Sequence, residues 1–153
     1  MPGHDRRRLA ACLIMLVLTL GLAACSRSTP PTPAATALHA PGQWLLINYW
    51  AEWCGPCIEE IPELAAFAAA NKARVRVLLV NFDRVQQPEL AAQAKKLGIP
   101  PDLLLERDPA RELGLKRPQV LPSTFVIGPD GVLHATLLGA QTAATLTAAT
   151  GGS

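Results

Sequence analysis

Cysteine and histidine are scarce in this chain, with four of the first and three of the second among 153 residues. Four cysteines exclude a dense disulfide framework. They also leave a zinc site short of ligands, because such a site takes four donors, usually from two Cys pairs or from one pair with clustered histidines. Beyond the first residues the only histidines are His39 and His134, far apart in sequence. Long apolar runs are missing too: the stretch Leu9 to Leu22 falls short of the about 20 residues that span a bilayer. Nor is there a basic patch. The formal net charge of +2 arises from the leader, where Arg6, Arg7 and Arg8 outnumber Asp5, and the rest of the chain is balanced, which argues against a nucleic-acid partner. No internal repeat is present.

What the chain does have begins with a targeting segment, residues 1–24. Arg6 to Arg8 supply its basic start and Leu9 to Leu22 its apolar core. The segment ends Leu22-Ala23-Ala24-Cys25, which resembles the bacterial lipobox, in which the cysteine is lipidated and becomes the mature N-terminus. A plain secretory signal with a nearby cysteine is the alternative. Lipid chains on Cys25 would tether the protein durably to a membrane without spanning it. Either reading exports the chain, to a bacterial periplasm on the lipoprotein reading, where disulfides persist. Residues 25–41 then read as a lipidated N-terminus and linker: Ser28-Thr29-Pro30-Pro31-Thr32-Pro33 favours extended backbone and has too little apolar surface to fold. The remainder, 42–153, is of single-domain size, and we expect a monomer.

With Cys12 removed in the leader and Cys25 acylated, Cys54 and Cys57 form the one available bridge. They sit in Trp53-Cys54-Gly55-Pro56-Cys57, between the strongest apolar run and the strongest helical pattern of the domain. Trp44 to Trp50 is nearly continuously apolar, as in a strand buried on both faces. From Cys57 onward, Ile58, Ile61, Leu64, Phe67 and Ala68 mark a helical face running to about Ala70, with Pro62 inside it. Thiols at a strand-to-helix junction can close and reopen without moving the fold. A helix N-terminus favours the thiolate of Cys54 through unpaired N–H groups and partial positive charge. A structural crosslink would gain little from so short a loop. The layout is that of a redox site.

Further elements follow in order. Val75 to Phe82 predicts a second buried strand. A helix is expected with Pro88 as its first residue and a stop at Gly98. Leu103 to Leu105 suggests a short strand, and Asp108-Pro109 the cap and start of a brief helix ending at Gly114. Thr124 to Ile127, a turn at Gly128 to Gly131, and Val132 to Leu138 predict a hairpin. A last helix, Gln141 to about Thr150, reads as weak, since its threonines lower propensity and Leu146 is its one large apolar residue.

Residues 42–150 resemble the thioredoxin fold, and more narrowly the exported, membrane-tethered TlpA-like and DsbE-like thioredoxins. The resemblance rests on Trp53-Cys54-Gly55-Pro56-Cys57, on Pro62, and on Leu121-Pro122-Ser123-Thr124-Phe125-Val126-Ile127 followed by Pro129-Asp130-Gly131. It implies an α/β domain with a central mixed sheet of four or five strands flanked by helices. The first strand lies inside the sheet and the hairpin strand runs antiparallel to it, so that Pro122 comes beside Cys54. The resemblance further implies a cis bond before Pro122, with the Leu121 backbone left to pair with an extended substrate. Cys54 would be the attacking thiol and Cys57 the resolving one, in exchange with protein disulfide substrates and with a membrane or periplasmic thiol donor. Trp53, Gly55 and Pro56 would join Leu121 and Pro122 in substrate binding. The Cys54–Cys57 disulfide itself carries the electrons, with no organic cofactor or metal.

This chain departs from the family pattern at three places. Asn48 stands where cytoplasmic thioredoxins have a buried aspartate, so water or a carboxylate such as Glu52 would have to take the proton of Cys57. Ile58 follows Cys57 where a basic residue is common, and Glu59, Glu60 and Glu63 bring negative charge to the first turns. Lys116-Arg117-Pro118-Gln119 lengthens the approach to Pro122. Two other functions compete with the redox reading: a copper metallochaperone, since two thiolates suit Cu(I), and an inert binding module, which fits poorly with both cysteines and Pro122 intact.

Overall fold

The computed structural model describes residues 37–152. The leader, Cys25 and the linker up to residue 36 lie outside the described residues. The described elements are β1 (Trp44–Trp50), α1 (Gly55–Asn71), β2 (Val75–Asn81), α2 (Glu89–Lys96), β3 (Leu104–Leu105), β4 (Ser123–Ile127), β5 (Leu133–Leu138) and α3 (Ala143–Ala149). They make one five-stranded mixed sheet in the order β3-β2-β1-β4-β5, with β1 in the middle.

β1 is central because it is apolar on both faces. Leu46 and Trp50 point into the core under the helices, and Leu45, Ile47 and Tyr49 into the core on the opposite face. It runs parallel to β2 and antiparallel to β4, and the register pairs Tyr49 with Ser123. That pairing sets the segment before Ser123 against the end of β1, where the chain turns toward the two cysteines. The peptide bond Leu121-Pro122 is cis, as the resemblance implied. A second cis bond, Gln87-Pro88, was not foreseen from the sequence.

The helical face is built by α1 through Ile61, Leu64 and Phe67, by α2 through Leu90 and Ala94, and by α3 through Leu146. Full burial of a leucine is worth about 1.5–3 kcal/mol, so Leu146 alone gives α3 a firm hold. The threonines that lower its propensity secure its ends. Thr142 and Thr145 form a reciprocal capping box, and the Thr150 hydroxyl donates to the Leu146 carbonyl at 2.8 Å. On the opposite face Leu38, Leu113, Leu115 and Leu121 pack against the sheet.

Several boundaries differ from expectation. α1 starts at Gly55, with Cys54 as its N-cap, and Pro88 caps α2 from outside instead of opening it. The brief helix after Asp108 is a single turn. Asp108 Oδ1 accepts from the Ala110 N–H at 3.0 Å, the Leu113 N–H donates to the Pro109 carbonyl, and Gly114 at φ 69 turns the chain away.

Candidate active site

Cys54 and Cys57 are joined by a disulfide with a Cα–Cα distance of 5.3 Å. The junction between β1 and α1 presents the two sulfurs unequally. Cys54 keeps 5% of its surface exposed and Cys57 none, so an incoming disulfide meets Cys54 first. As N-cap, Cys54 has extended backbone, and its Sγ accepts from the Cys57 N–H at 3.3 Å while its carbonyl accepts from the Ile58 N–H. Pro56 occupies the first turn, where a missing N–H costs nothing. The amide that stabilises a thiolate at residue 54 is therefore already aimed at its sulfur. No acidic residue lies in the first turn of α1. Glu59 and Glu63 are exposed one turn further on, and Glu60 is buried.

The aromatic residues divide as their positions in the pleat require. Tyr49 and Trp50 are fully buried, whereas Trp53 is 67% exposed, with its indole N–H donating to Asp83 at 2.8 Å. Gly55 and Pro56 are exposed beside it. Leu121 packs against the core cluster that contains both cysteines. In the adjoining turn the Ser123 hydroxyl donates to the Val120 carbonyl at 2.7 Å, and the Gly139 N–H donates to the Pro122 carbonyl at 2.9 Å.

Asn48 lies in β1 and is fully buried. Its Nδ2 donates to Glu60 Oε1 at 2.8 Å and to Thr124 Oγ1 at 3.0 Å. Glu52, the carboxylate expected near the thiols, instead forms a 2.6 Å ion pair with Lys96 at the surface. The buried carboxylate is Glu60. It follows Cys57 by one helical turn on the same inward face of α1, the i, i+3 relation that brings side chains together. It is 2% exposed, and its second oxygen accepts from the Gln141 N–H at 2.7 Å. Burial raises its pKa, against the opposing pull of those two hydrogen bonds. Sequence reasoning missed it, although a glutamate set between Cys57, Ile61 and Leu64 in a buried stripe was the available signal.

On the other face of β1, the Tyr49 hydroxyl donates to Asp108 Oδ1 at 2.8 Å, and burial pushes its pKa far up. Arg117 binds Asp108 through Nε and the Phe82 carbonyl through Nη2 at 2.6 Å, with its guanidinium over the Phe82 ring. Among the described residues no group of three or more His, Cys, Asp or Glu is arranged to hold a metal ion. His134 stands at the far end of β1, edge-on to Trp44 at 5.0 Å between ring centroids.

Fold and site together define a thioredoxin-fold protein whose redox-capable cysteine pair sits at the start of α1, in the class of thiol-disulfide oxidoreductases. The chain belongs to the AhpC/TSA family, which it matches over residues 34–136. It is 27% identical to sporulation thiol-disulfide oxidoreductase A of Bacillus subtilis, over 90% of this chain and 93% of that protein. It is 28% identical to the thiol-disulfide oxidoreductase ResA of Geobacillus kaustophilus, over 66% of this chain and 58% of that one. A shorter match, 43% identical to thioredoxin 1 of Chlorobaculum tepidum, covers 37% of this chain and spans about half, 54%, of that relative. Among solved structures, StoA from Bacillus subtilis superposes with a TM-score of 0.58 at 22% identity, over 71% of this chain and 82% of that one. The fold is thus shared with the TlpA-like and DsbE-like group that the motifs resembled.

Proposed function

We propose that this protein reduces protein disulfides outside the cytoplasm, tethered to a membrane through a lipidated Cys25. The observation that carries the redox reading is the placement of Cys54 as the cap of α1 with the more buried Cys57 bonded to it. In the reduced form the Cys54 thiolate attacks one sulfur of a substrate disulfide. A mixed disulfide forms and the first substrate thiolate leaves. Cys57 then gives up its proton and attacks Cys54 Sγ, so that the Cys54–Cys57 bond forms and the second substrate thiolate leaves. Two electrons pass from the dithiol to the substrate, and an upstream thiol donor restores the dithiol. Cys57 Sγ lies 4.0 Å from the Tyr49 carbonyl, and Glu60 supplies the buried carboxylate one turn away that can take its proton, since a raised pKa brings a carboxylate nearer the value a general base needs. Trp53, Gly55 and Pro56, exposed at the start of α1, would face the substrate together with Leu121 and the backbone before the buried Pro122. No organic cofactor or metal takes part.

The copper reading has less support, because His134 stands at the opposite end of β1 from the two sulfurs, a strand about 20 Å long, and no group of three or more metal-ligating side chains is found among the described residues. Trapping tests the redox reading. Cys57→Ser should accumulate mixed disulfides through Cys54 in intact cells quenched with acid and alkylated, and Cys54→Ser should accumulate none. Equal trapping by both variants would reverse the assignment of the two thiols, and trapping by neither would sink the exchange mechanism. Tight stoichiometric binding of Cu(I) by the reduced chain, together with no trapping, would favour the metallochaperone.

A further inference from the structure

The lengthened segment before Pro122 has a use that thiol exchange alone does not absorb. A cavity of about 360 Å³ opens on the face opposite α1, lined by Arg84, Asp108, Arg111, Leu115 and Arg117. A second cavity, of about 180 Å³, adjoins it through Arg84 and Asp108. Three arginines and one aspartate line the larger cavity, the smaller adds Glu106 and Arg107, and the Asp108 carboxylate is already engaged: it takes Arg117 on one oxygen and the Tyr49 hydroxyl on the other. Among the described residues neither Arg84 nor Arg111 has an ion-pair partner, whereas nearby Arg107 is paired with Glu112. Arg84 also holds a backbone φ of 58, outside the usual range for a residue with a side chain. The loop that imposes it is pinned by the Val85 N–H donating to Asn81 Oδ1 and by Gln86 Nε2 donating to the Arg84 carbonyl. The charge is local, because the chain outside the leader is balanced and the outer surface of α1 is acidic at Glu59 and Glu63.

Two residues link the cavity to the redox pair. Asp83, the residue before Arg84, holds the Trp53 indole. Tyr49 spans the remaining gap, with its carbonyl 4.0 Å from Cys57 Sγ and its hydroxyl on Asp108 at the cavity wall. An extended chain advances about 3.3 Å per residue, so a segment lying against Cys54 reaches the cavity within a few residues. We propose that the cavity of Arg84, Arg111 and Arg117 seats an acidic segment of the protein whose disulfide Cys54 attacks, so that carboxylates near the target cystine select the partner. A membrane headgroup would satisfy the same guanidinium chemistry, but a bilayer seated there would close the approach to Cys54. This proposal rests on the redox reading above.

The test uses the reduced full chain and two cystine peptides that differ only in flanking residues, Asp and Glu in one, Asn and Gln in the other. The acidic peptide should react about tenfold faster at low ionic strength, with the advantage shrinking as salt is raised. Arg84→Gln with Arg111→Gln should bring the acidic peptide down to the rate of the amide peptide and leave a small uncharged disulfide unaffected. The proposal is overturned if the wild-type chain shows no preference, if the preference survives in the double variant, or if that variant slows the small disulfide equally. It is overturned also if the double variant loses binding to phosphatidylglycerol vesicles while keeping the peptide preference, since the arginines would then serve lipid. Failure of every disulfide to oxidise the reduced chain would instead overturn the redox reading, and the proposal with it.

Discussion

Glu60→Gln exchanges a buried carboxylate for an amide of the same shape, and its cost in stability should shrink as pH rises. Burial holds the Glu60 pKa above the ordinary value, which is about 4.3 in an unfolded chain. Below about pH 4.3 the side chain is protonated whether the chain is folded or not, and the linkage is silent. As the pH rises, the unfolded chain releases its proton first, so stability falls by up to about 1.36 kcal/mol for each pH unit between the two pKa values. Above the folded pKa the loss is complete and the curve levels. The glutamine variant has no such slope at this position. Its penalty comes instead from presenting an amide end to one of two donors, the Gln141 N–H or Asn48 Nδ2. Rotation of the Asn48 amide softens that cost, because Asn48 Oδ1 is without a partner among the described residues and can accept from the new amide. A net penalty of about 1 kcal/mol follows from one imperfect hydrogen bond. The variant should therefore be less stable than the wild type near pH 4, and the gap should narrow as pH rises toward 8. Denaturant unfolding of the oxidised chain at several pH values, compared as a difference between the two proteins, isolates Glu60 from other titrating groups. The Asp130 pKa is shifted the other way, downward, and its stabilisation is lost only as pH falls through that lowered value, outside this window. Two parallel stability curves would refute the reasoning.

Asn48→Asp should destabilise the oxidised chain at pH 8 by about 3 kcal/mol or more, because a second carboxylate would replace the amide that now donates to Glu60 at 2.8 Å. The two groups would then titrate as a pair and make stability fall more steeply with pH than in the wild type; unfolding midpoints equal to wild type at pH 8 would count against it. Cys25→Ser should release the chain from the membrane fraction while leaving disulfide reduction in solution unchanged, and persistence in that fraction would rule out the lipid anchor.

The sheet was legible because its strands announce themselves by composition. Trp44 to Trp50 and Val75 to Asn81 are apolar on both faces, and only the middle of a sheet covered on both sides accommodates such runs. The hairpin was equally plain, with Gly131 at φ 76 in the turn between β4 and β5. α3 was underestimated for a physical reason. Propensity counts threonine against a helix interior, but Thr142 and Thr145 lie at its start and Thr150 at its end, where hydroxyls satisfy backbone groups that a helix leaves unpaired. The segment from Glu106 to Val120 was the least legible. It has no period to read, and its order comes from contacts remote in sequence, with Arg117 tied to Asp108 and Phe82, and Tyr49 to Asp108.

The polar half of the site shows the same division between local and long-range information. Cys54 as a helix cap could be foreseen, since strand, turn and helix follow one another along the chain. Which carboxylate faces inward could not be settled by nearness in sequence. Glu52 is the closer to Cys54, yet a turn residue at the rim is free to reach outward, and Lys96 meets it there. Glu60 is further along, but a helix that buries Cys57, Ile61 and Leu64 must bury the residue between them as well. The cost of that burial is met by partners from three separate parts of the fold: Asn48 on β1, Thr124 on β4 through Asn48, and the Gln141 amide before α3. Because each of these arrives only when the sheet and α3 close on α1, the carboxylate is held in place by the finished fold, and the same closure that buries Cys57 raises the pKa of the group beside it.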